Sequence, residues 1–168
     1  MTEKDKVSET KVKWNGLFDF KEVYQFAYRW LDEEDYFVEE RKYSEEVSGE
    51  AKKIEISWVA LKRVSDYFRY EQKLAWRIIG MTTVEVEKNG KKVKMNKGSF
   101  EIKITSTLIK DWASTWETSP FMKFLRGVYD RFIVEGRIRN YELKCFKDGE
   151  DMAEQIKAFL TIEGMKFG

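Results

Sequence analysis

Few side chains in this sequence of 168 residues are suited to acid–base or metal chemistry. There is no histidine and only one cysteine. Histidine is the commonest general base and metal ligand at neutral pH, and a single cysteine cannot supply a zinc-binding spacing. The sequence also has no glycine-rich phosphate loop, dinucleotide fingerprint or nucleophile elbow. These absences favour a protein that is not an enzyme, without excluding one, and they indicate no metal and no cofactor.

Carboxylates occur in groups that could in principle act as general acid and base. The pairs are Glu39-Glu40 and Glu45-Glu46, and an acidic run extends over 32–35. Neighbouring residues on a strand point to opposite faces, so these pairs do not converge on one substrate. A solvated surface is favoured over a glycosidase-like acid pair.

Cys145 admits two interpretations. Lys144 and Lys147 are close in sequence and could lower the pKa of the thiol, which would make it reactive. Its position on the apolar stripe of a predicted helix favours a small buried residue instead.

The segment 118–147 is locally basic, and its cations outnumber its acids. A basic stripe beside exposed aromatics is typical of nucleic-acid binding. The net charge of the whole chain is only +1, and the outer face of any amphipathic helix needs charge for solubility. A nucleic-acid partner is therefore not favoured. The basic residues are Lys123, Arg126, Arg131, Arg137, Arg139, Lys144 and Lys147.

The aromatic content, 15% with six Trp, leads to the main functional prediction. Several large side chains share one face of the predicted sheet, and a closed core is the simpler interpretation. The alternative is a partly open apolar cavity between the sheet and the C-terminal helix, with the inward polar residues Gln72 and Ser106 orienting a ligand. The predicted ligand-binding residues are Trp58, Tyr70, Trp76, Phe124, Val128 and Phe132.

Two functions follow from this prediction. The first is a small binding protein that holds an apolar small molecule in this cavity. The second is a protein-interaction or self-assembly module without a ligand, because long strands leave sheet edges that a partner or a second copy could pair with.

The elements that must position these residues begin with hairpins. Asn89-Gly90 in "VEVEKNGKKVKM" is a strong type I′ turn signal, and it sets Val84 opposite Met95. A three-residue loop over 65–67 is predicted to set Ile56 opposite Trp76, since a two-residue loop would turn apolar side chains to the wrong face.

Two glycine-containing segments affect where the predicted strands begin and end. Gly80 permits either one long strand with a bend or a three-residue turn. "NKGS" over 96–99 is predicted to be a turn, which would set Met95 opposite Phe100.

Helices are predicted at three places. Asp19 is suited to cap a helix over 19–34, and Ser119-Pro120 is suited to begin a long helix that bends near Gly136. A last short helix is expected after a break at Gly149.

The termini and composition place the chain in a broad class. Residues 1–10 are expected to be a flexible N-terminus, followed by one α+β domain over 11–168. No signal peptide or membrane span is predicted, and a single cysteine favours the cytoplasm. Many Glu and Lys with few Gln and Asn favour a thermophilic source.

The predicted fold is α+β: an antiparallel β-meander curled around a long C-terminal helix, with an N-terminal helix. This element order resembles the START-like helix-grip fold, which implies an apolar ligand cavity between the sheet and the last helix. A turn at Gly80 would give six strands after the first helix, as that fold has. The chain differs in having one helix rather than two after the first strand, and an extra final helix.

Two segments carry a second resemblance. "WRIIGMTTVEVEKNGKKVKMNKGSFEIKI" and "SPFMKFLRGVYDRF" are similar to a family of small uncharacterised archaeal proteins. That resemblance implies an archaeal source and no particular activity.

Overall fold

The computed structural model describes residues 3–110, 120–128 and 135–165. None of the helices in these ranges is long and apolar enough to cross a membrane. In chain order the elements are β1 Glu3–Phe18, α1 Phe20–Glu33, β2 Phe37–Ser48, β3 Ala51–Arg63, β4 Phe68–Lys88, β5 Lys91–Lys110, α2 Pro120–Val128 and α3 Glu135–Met165.

The five strands form one open antiparallel sheet in the order β1-β5-β4-β3-β2. The long helix α3 lies against β1 and β5, while the shorter α1 contacts α3 and β2. The core lies between the helices and the inner face of the sheet. The predicted α+β class, with a long C-terminal helix and an N-terminal helix on an antiparallel sheet, is confirmed.

The two predicted hairpin registers are confirmed. Val84 pairs with Met95 around Asn89-Gly90, and both turn residues have positive φ, 54° and 78°. Ile56 pairs with Trp76 across the 65–67 loop. Both registers place apolar side chains on one face, because strand side chains alternate with a period of two.

The structure decides the alternatives at Gly80 in favour of a bend. β4 is a single strand of 21 residues, and its pairing with β5 is irregular between Ile79 and Thr82. Gly80 has a φ of +65°, a backbone conformation that glycine adopts without strain. In the ranges that the structure describes, four strands follow α1, and the count of six that depended on a turn at Gly80 is wrong.

The predicted turn over 96–99 is also wrong, because β5 continues through it. Met95 and Phe100 lie on the same strand, and Phe100 pairs with Ile78. The glycine in this segment has another role. A Cβ atom on Gly98 would lie 3.1 Å from the backbone oxygen of Ile79, so glycine permits β5 to approach the bulge in β4.

The N-terminus differs from its prediction as well. Residues 3–10 are the first half of β1 and pair with the end of β5. Their many charges suggested a flexible segment, but this is an edge strand, where charged side chains are common.

The helical predictions are confirmed at α1 and corrected at α3. The Asp19 side chain accepts a hydrogen bond from the Glu22 backbone N–H at 3.2 Å, as expected of an N-cap. The break expected at Gly149 is wrong, since α3 continues through it. Ser119 and residues 129–134, next to the predicted bend, lie outside the described residues.

Candidate functional site

The structure describes five of the six predicted ligand-binding residues and does not bring these five together at one site. Trp58, Tyr70 and Trp76 are buried on the inner face of the sheet. Phe124 on α2 is 66% exposed, and Val128 at the end of α2 is half-buried. Phe132 lies outside the described residues.

Trp58 and Trp76 form an edge-to-face pair with ring centroids 5.0 Å apart. Tyr24 of α1 covers this pair, with its ring centroid 5.0 Å from Trp58 and 6.0 Å from Trp76. Phe100 of β5 lies 5.8 Å from Trp76 on another side. These contacts support the closed-core interpretation for the two tryptophans, and the cover comes from the N-terminal helix.

A carboxylate at the rim accepts hydrogen bonds from two of the polar groups of this cluster. Glu40 accepts hydrogen bonds from the Tyr24 hydroxyl at 2.9 Å and from the Trp58 indole N–H at 3.3 Å. Burial, helped by the Glu40 hydrogen bond, raises the pKa of Tyr24 to about 12. The Tyr24 phenol therefore stays protonated and acts as a hydrogen-bond donor at neutral pH.

Tyr70 lies apart from the tryptophans, in the wall of an open pocket of about 300 Å³ between β4 and the first turns of α3. On α3 the wall comprises positions 137, 140, 141 and 144, which form one helix face because residues three and four apart are neighbours. We name this set the tyrosine pocket; its described residues are Tyr70, Arg137, Asn140, Tyr141 and Lys144.

Aromatic rings join the tyrosine pocket to the core. The Tyr141 ring centroid lies 4.5 Å from that of Phe68 and 6.5 Å from that of Tyr70. Phe68 and Tyr70 are buried, whereas Tyr141 is half-buried and borders solvent. The pocket therefore has an aromatic base and a polar, basic rim.

The Tyr70 hydroxyl is buried and has no hydrogen-bond partner among the described residues. Burial raises the pKa of this phenol, so it keeps its proton at neutral pH. A buried donor without a partner costs about 1–3 kcal/mol. A ligand or a water molecule that accepts a hydrogen bond from this donor would remove that cost.

The indole N–H of Trp76 is likewise buried without a partner in the described ranges. It does not belong to the tyrosine pocket, since Trp76 lies six positions along β4 from Tyr70, roughly 20 Å away. Trp76 borders a separate depression of about 310 Å³ along β3 and β4.

Behind the tyrosine pocket lies an inner polar cluster that joins the sheet to α3. Ser106 donates a hydrogen bond to Gln72 Oε1 at 2.5 Å. Gln72 Nε2 in turn donates to the Cys145 carbonyl oxygen and to the Tyr36 hydroxyl oxygen, both at 3.3 Å. The Tyr36 hydroxyl donates to Asp148 Oδ2 at 2.8 Å.

The inner polar cluster gives Gln72 and Ser106 a structural role within the protein. Gln72 and Ser106 face inward and are buried, as predicted. Their described hydrogen bonds, however, are with each other and with protein groups near α3. They fix the helix on the sheet, and orienting a ligand is not needed to explain them.

Cys145 is the small buried residue that its apolar stripe predicted. Burial raises the pKa of its thiol to about 12, and the charges of Asp148 and Glu142 act in the same direction. The alternative of a thiol activated by neighbouring lysines is therefore wrong. The thiol donates a weak hydrogen bond to the Thr107 carbonyl oxygen at 3.6 Å.

A further open groove, of about 710 Å³, runs along the outer face of α1. Its described lining residues are Glu22, Tyr24, Gln25, Tyr28 and Arg29. All of them belong to one helix, and charges of both signs are present. None of these described lining residues carries a buried polar atom that lacks a hydrogen-bond partner and could indicate a ligand.

Sequence reasoning found Tyr70 and missed the residues opposite it. Arg137 and Lys144 were noted only as part of a basic stripe, and Asn140 and Tyr141 were not connected with a site. Their shared signal is the spacing of three, four and seven residues from Arg137, which defines one face of a helix.

Among the described residues, no group of three or more Cys, Asp or Glu side chains is arranged to hold a metal ion. No protein-family model, curated protein or solved structure matches this chain.

Proposed function

We propose that the protein binds a small molecule with an apolar body between its sheet and its C-terminal helix, at the tyrosine pocket. The observation that supports this most directly is the buried Tyr70 hydroxyl, which has no partner among the described residues. It lies in the wall of an open pocket. A ligand acceptor there would remove the cost of an unmade hydrogen bond.

The dimensions of the tyrosine pocket suit a small ligand. Its volume of about 300 Å³ is at the lower limit for ligand pockets, which are mostly apolar with a few placed polar groups. The half-buried ring of Tyr141 provides apolar surface, and Arg137, Asn140 and Lys144 on the same helix provide the polar groups. We also propose a cytoplasmic location, because a chain with one cysteine makes no internal disulfide.

Native mass spectrometry of freshly purified protein, followed by titration with fatty acids and aromatic probes, tests this proposal. We expect a bound mass or saturable probe binding that Tyr70→Phe weakens about tenfold, the effect of losing one hydrogen bond of about 1.4 kcal/mol. The matched control is Tyr43→Phe, which removes a hydroxyl from an exposed tyrosine on β2. A bare mass and no binding of any probe would exclude the proposal.

A second candidate function, an interaction or self-assembly module, is supported by the sheet edge at β2. β2 pairs only with β3 in the described sheet, and it exposes Phe37, Tyr43 and Val47 by 71%, 48% and 66%. Exposed apolar edge strands can pair with another chain. A bulge between Glu40 and Lys42 counts against this, since bulges protect edges.

Size-exclusion chromatography with light scattering distinguishes the two functions. An interaction module that assembles with itself predicts a dimer that Phe37→Lys disrupts. A monomer at high concentration that binds small-molecule probes would favour the ligand-binding function.

A further inference from the structure

We infer that the ligand of the tyrosine pocket is a small organic anion, with a carboxylate or phosphate group on a planar apolar body. This inference rests on the proposed function and adds the chemical class of the ligand. It derives from the charge, the spacing and the unmade hydrogen bonds of the pocket.

The charge of the pocket rim is positive. Arg137 and Lys144 both line the pocket, and none of the other described lining residues is acidic. Neither cation forms an ion pair within the described ranges. The two charges are therefore available to an anion from solution.

Two carboxylates on α3, those of Glu142 and Asp148, are close in sequence to the pocket residues. The Asp148 carboxylate is buried and accepts a hydrogen bond from the Tyr36 hydroxyl at 2.8 Å, so it is already engaged in the inner polar cluster. Glu142 is half-buried on α3 beside Tyr141. Neither carboxylate is among the described lining residues of the pocket.

The spacing of the donors suits a group held between two cations. Arg137 and Lys144 are seven residues apart, roughly 10 Å along the helix axis, with Asn140 and Tyr141 between them on the same face. Arginine binds carboxylate and phosphate oxygens in a bidentate manner, and lysine adds a point charge. The Asn140 amide adds donors from between the two cations, and the Tyr70 hydroxyl adds one from the base.

The apolar base of the pocket indicates that the ligand also has an apolar part. Tyr141 is half-buried and presents part of its ring to the pocket, while the buried Tyr70 ring lies 6.5 Å from it at an interplanar angle of 66° and supports it from the core. A planar ligand ring can pack against the exposed part of the Tyr141 ring. Inorganic phosphate would use the rim and leave this apolar surface unfilled, so it should bind more weakly than phenyl phosphate.

The experiment is a titration followed by two-dimensional ¹H–¹⁵N NMR and calorimetry. The probes are benzoate, phenyl phosphate, inorganic phosphate and benzamide, which is the neutral match of benzoate. We expect benzoate or phenyl phosphate to bind at least about tenfold more tightly than benzamide and inorganic phosphate. Binding should weaken as salt rises from about 50 mM to about 200 mM.

Variants that remove one positive charge test whether the anion binds at the tyrosine pocket. Arg137→Gln and Lys144→Gln should each weaken anion binding about tenfold and leave benzamide binding unchanged. The control Lys157→Gln, which is exposed on α3 and outside the pocket, should leave anion binding unchanged. Both α3 cations are exposed, so these variants are expected to fold.

The outcomes separate this inference from the proposed function. Equal binding of benzamide and benzoate, unaffected by Arg137→Gln but weakened by Tyr70→Phe, would overturn the anion inference and leave the proposed function intact. Anion binding that Lys157→Gln weakens as much as Lys144→Gln would show a nonspecific charge effect and also overturn it. Failure of every probe to bind would overturn both.

Discussion

At the scale of a single residue, the packing of the core predicts a large stability effect for a substitution at Trp76. Its side chain is 2% exposed, and Tyr24, Trp58 and Phe100 surround it. We expect Trp76→Ala to lower the free energy of unfolding by about 3–5 kcal/mol, because emptying a buried aromatic site leaves a cavity. Chemical denaturation monitored by circular dichroism measures this change.

The control for this prediction is the next residue, Arg77, whose side chain is exposed on the opposite face of β4. Arg77→Ala should change stability by no more than about 0.5 kcal/mol. A loss below about 1 kcal/mol for Trp76→Ala would contradict the packing described for the aromatic cluster.

Cys145 gives a prediction about pH at the same scale. Its thiol has an ordinary pKa of 9.0, which burial raises to about 12 in the folded protein. The folded state therefore holds its proton more tightly, so this contribution to stability is complete below pH 9 and is lost as the pH rises toward 12. At about pH 8 we expect the folded thiol not to react with Ellman's reagent.

The same measurement in guanidinium chloride provides the control, since one thiol per chain should then react. Rapid reaction of the folded protein would contradict the burial of Cys145. Stability should also fall above pH 9, and a free energy of unfolding that rises there would contradict the sign of the pKa shift.

At the residue scale, the sequence predicted burial better than it predicted the site. Alternation along β4 correctly turned Tyr70, Leu74 and Trp76 inward, because strand periodicity is local. Tyr70 lies in the same pocket as Arg137 and Lys144 because of the position that α3 takes along the sheet. That position is a property of tertiary packing, which no local period encodes.

Gly149 carries the main prediction for the helical elements. A Cβ atom there would lie 2.1 Å from Ser106 Oγ and 3.3 Å from Gln72 Oε1, so glycine allows α3 to lie close to β5. In an ordinary helix interior, Gly→Ala stabilises by about 1 kcal/mol. Here we expect Gly149→Ala to destabilise by about 1–3 kcal/mol, as overpacking does. Thermal and chemical denaturation measure the effect.

The chain offers a matched control and a compensating change. Gly127 on α2 has no neighbour within 4 Å of a built Cβ, so Gly127→Ala should not destabilise. Adding Ser106→Ala to Gly149→Ala should recover part of the loss, because the Ser106 Cβ would lie at 3.5 Å. Strictly additive effects in this double-mutant cycle would contradict the proposed contact.

At the element scale, two of the errors of sequence interpretation concern glycine. Asn89-Gly90 was correctly assigned to a turn, because positive φ at both positions suits a two-residue hairpin. Gly98 and Gly149 were assigned to a turn and a helix break, yet both allow a close approach of two elements. The residue type is the same in each case, and only the neighbour across the fold distinguishes the roles.

At the scale of the whole molecule, β1 connects the sheet to the long helix. It covers the edge of β5, and α3 lies mainly against β1 and β5. Val12 of β1 is buried, and Trp14 packs against the core. The N-terminal strand β1 therefore supports α3, the helix that carries most of the tyrosine pocket. The position of α3 thus depends on contacts between elements that are far apart in sequence.

The last prediction concerns the first ten residues, expected from sequence to be flexible. Their removal would leave residues 104–110 of β5 paired with β4 but without their partners on β1, and the buried Glu71 would lose its ion pair with Lys4. Since each lost hydrogen bond costs about 0.5–1.5 kcal/mol, we expect deletion of residues 1–10 to lower stability by roughly 2 kcal/mol or more. Deletion of residues 1–2 alone should have little effect and serves as the control. Thermal unfolding of the two truncated chains measures the difference, because about 1 kcal/mol shifts the Tm by about 2–4 °C in a protein of this size. An unchanged Tm after the longer deletion would show that residues 3–10 contribute no stability as a strand.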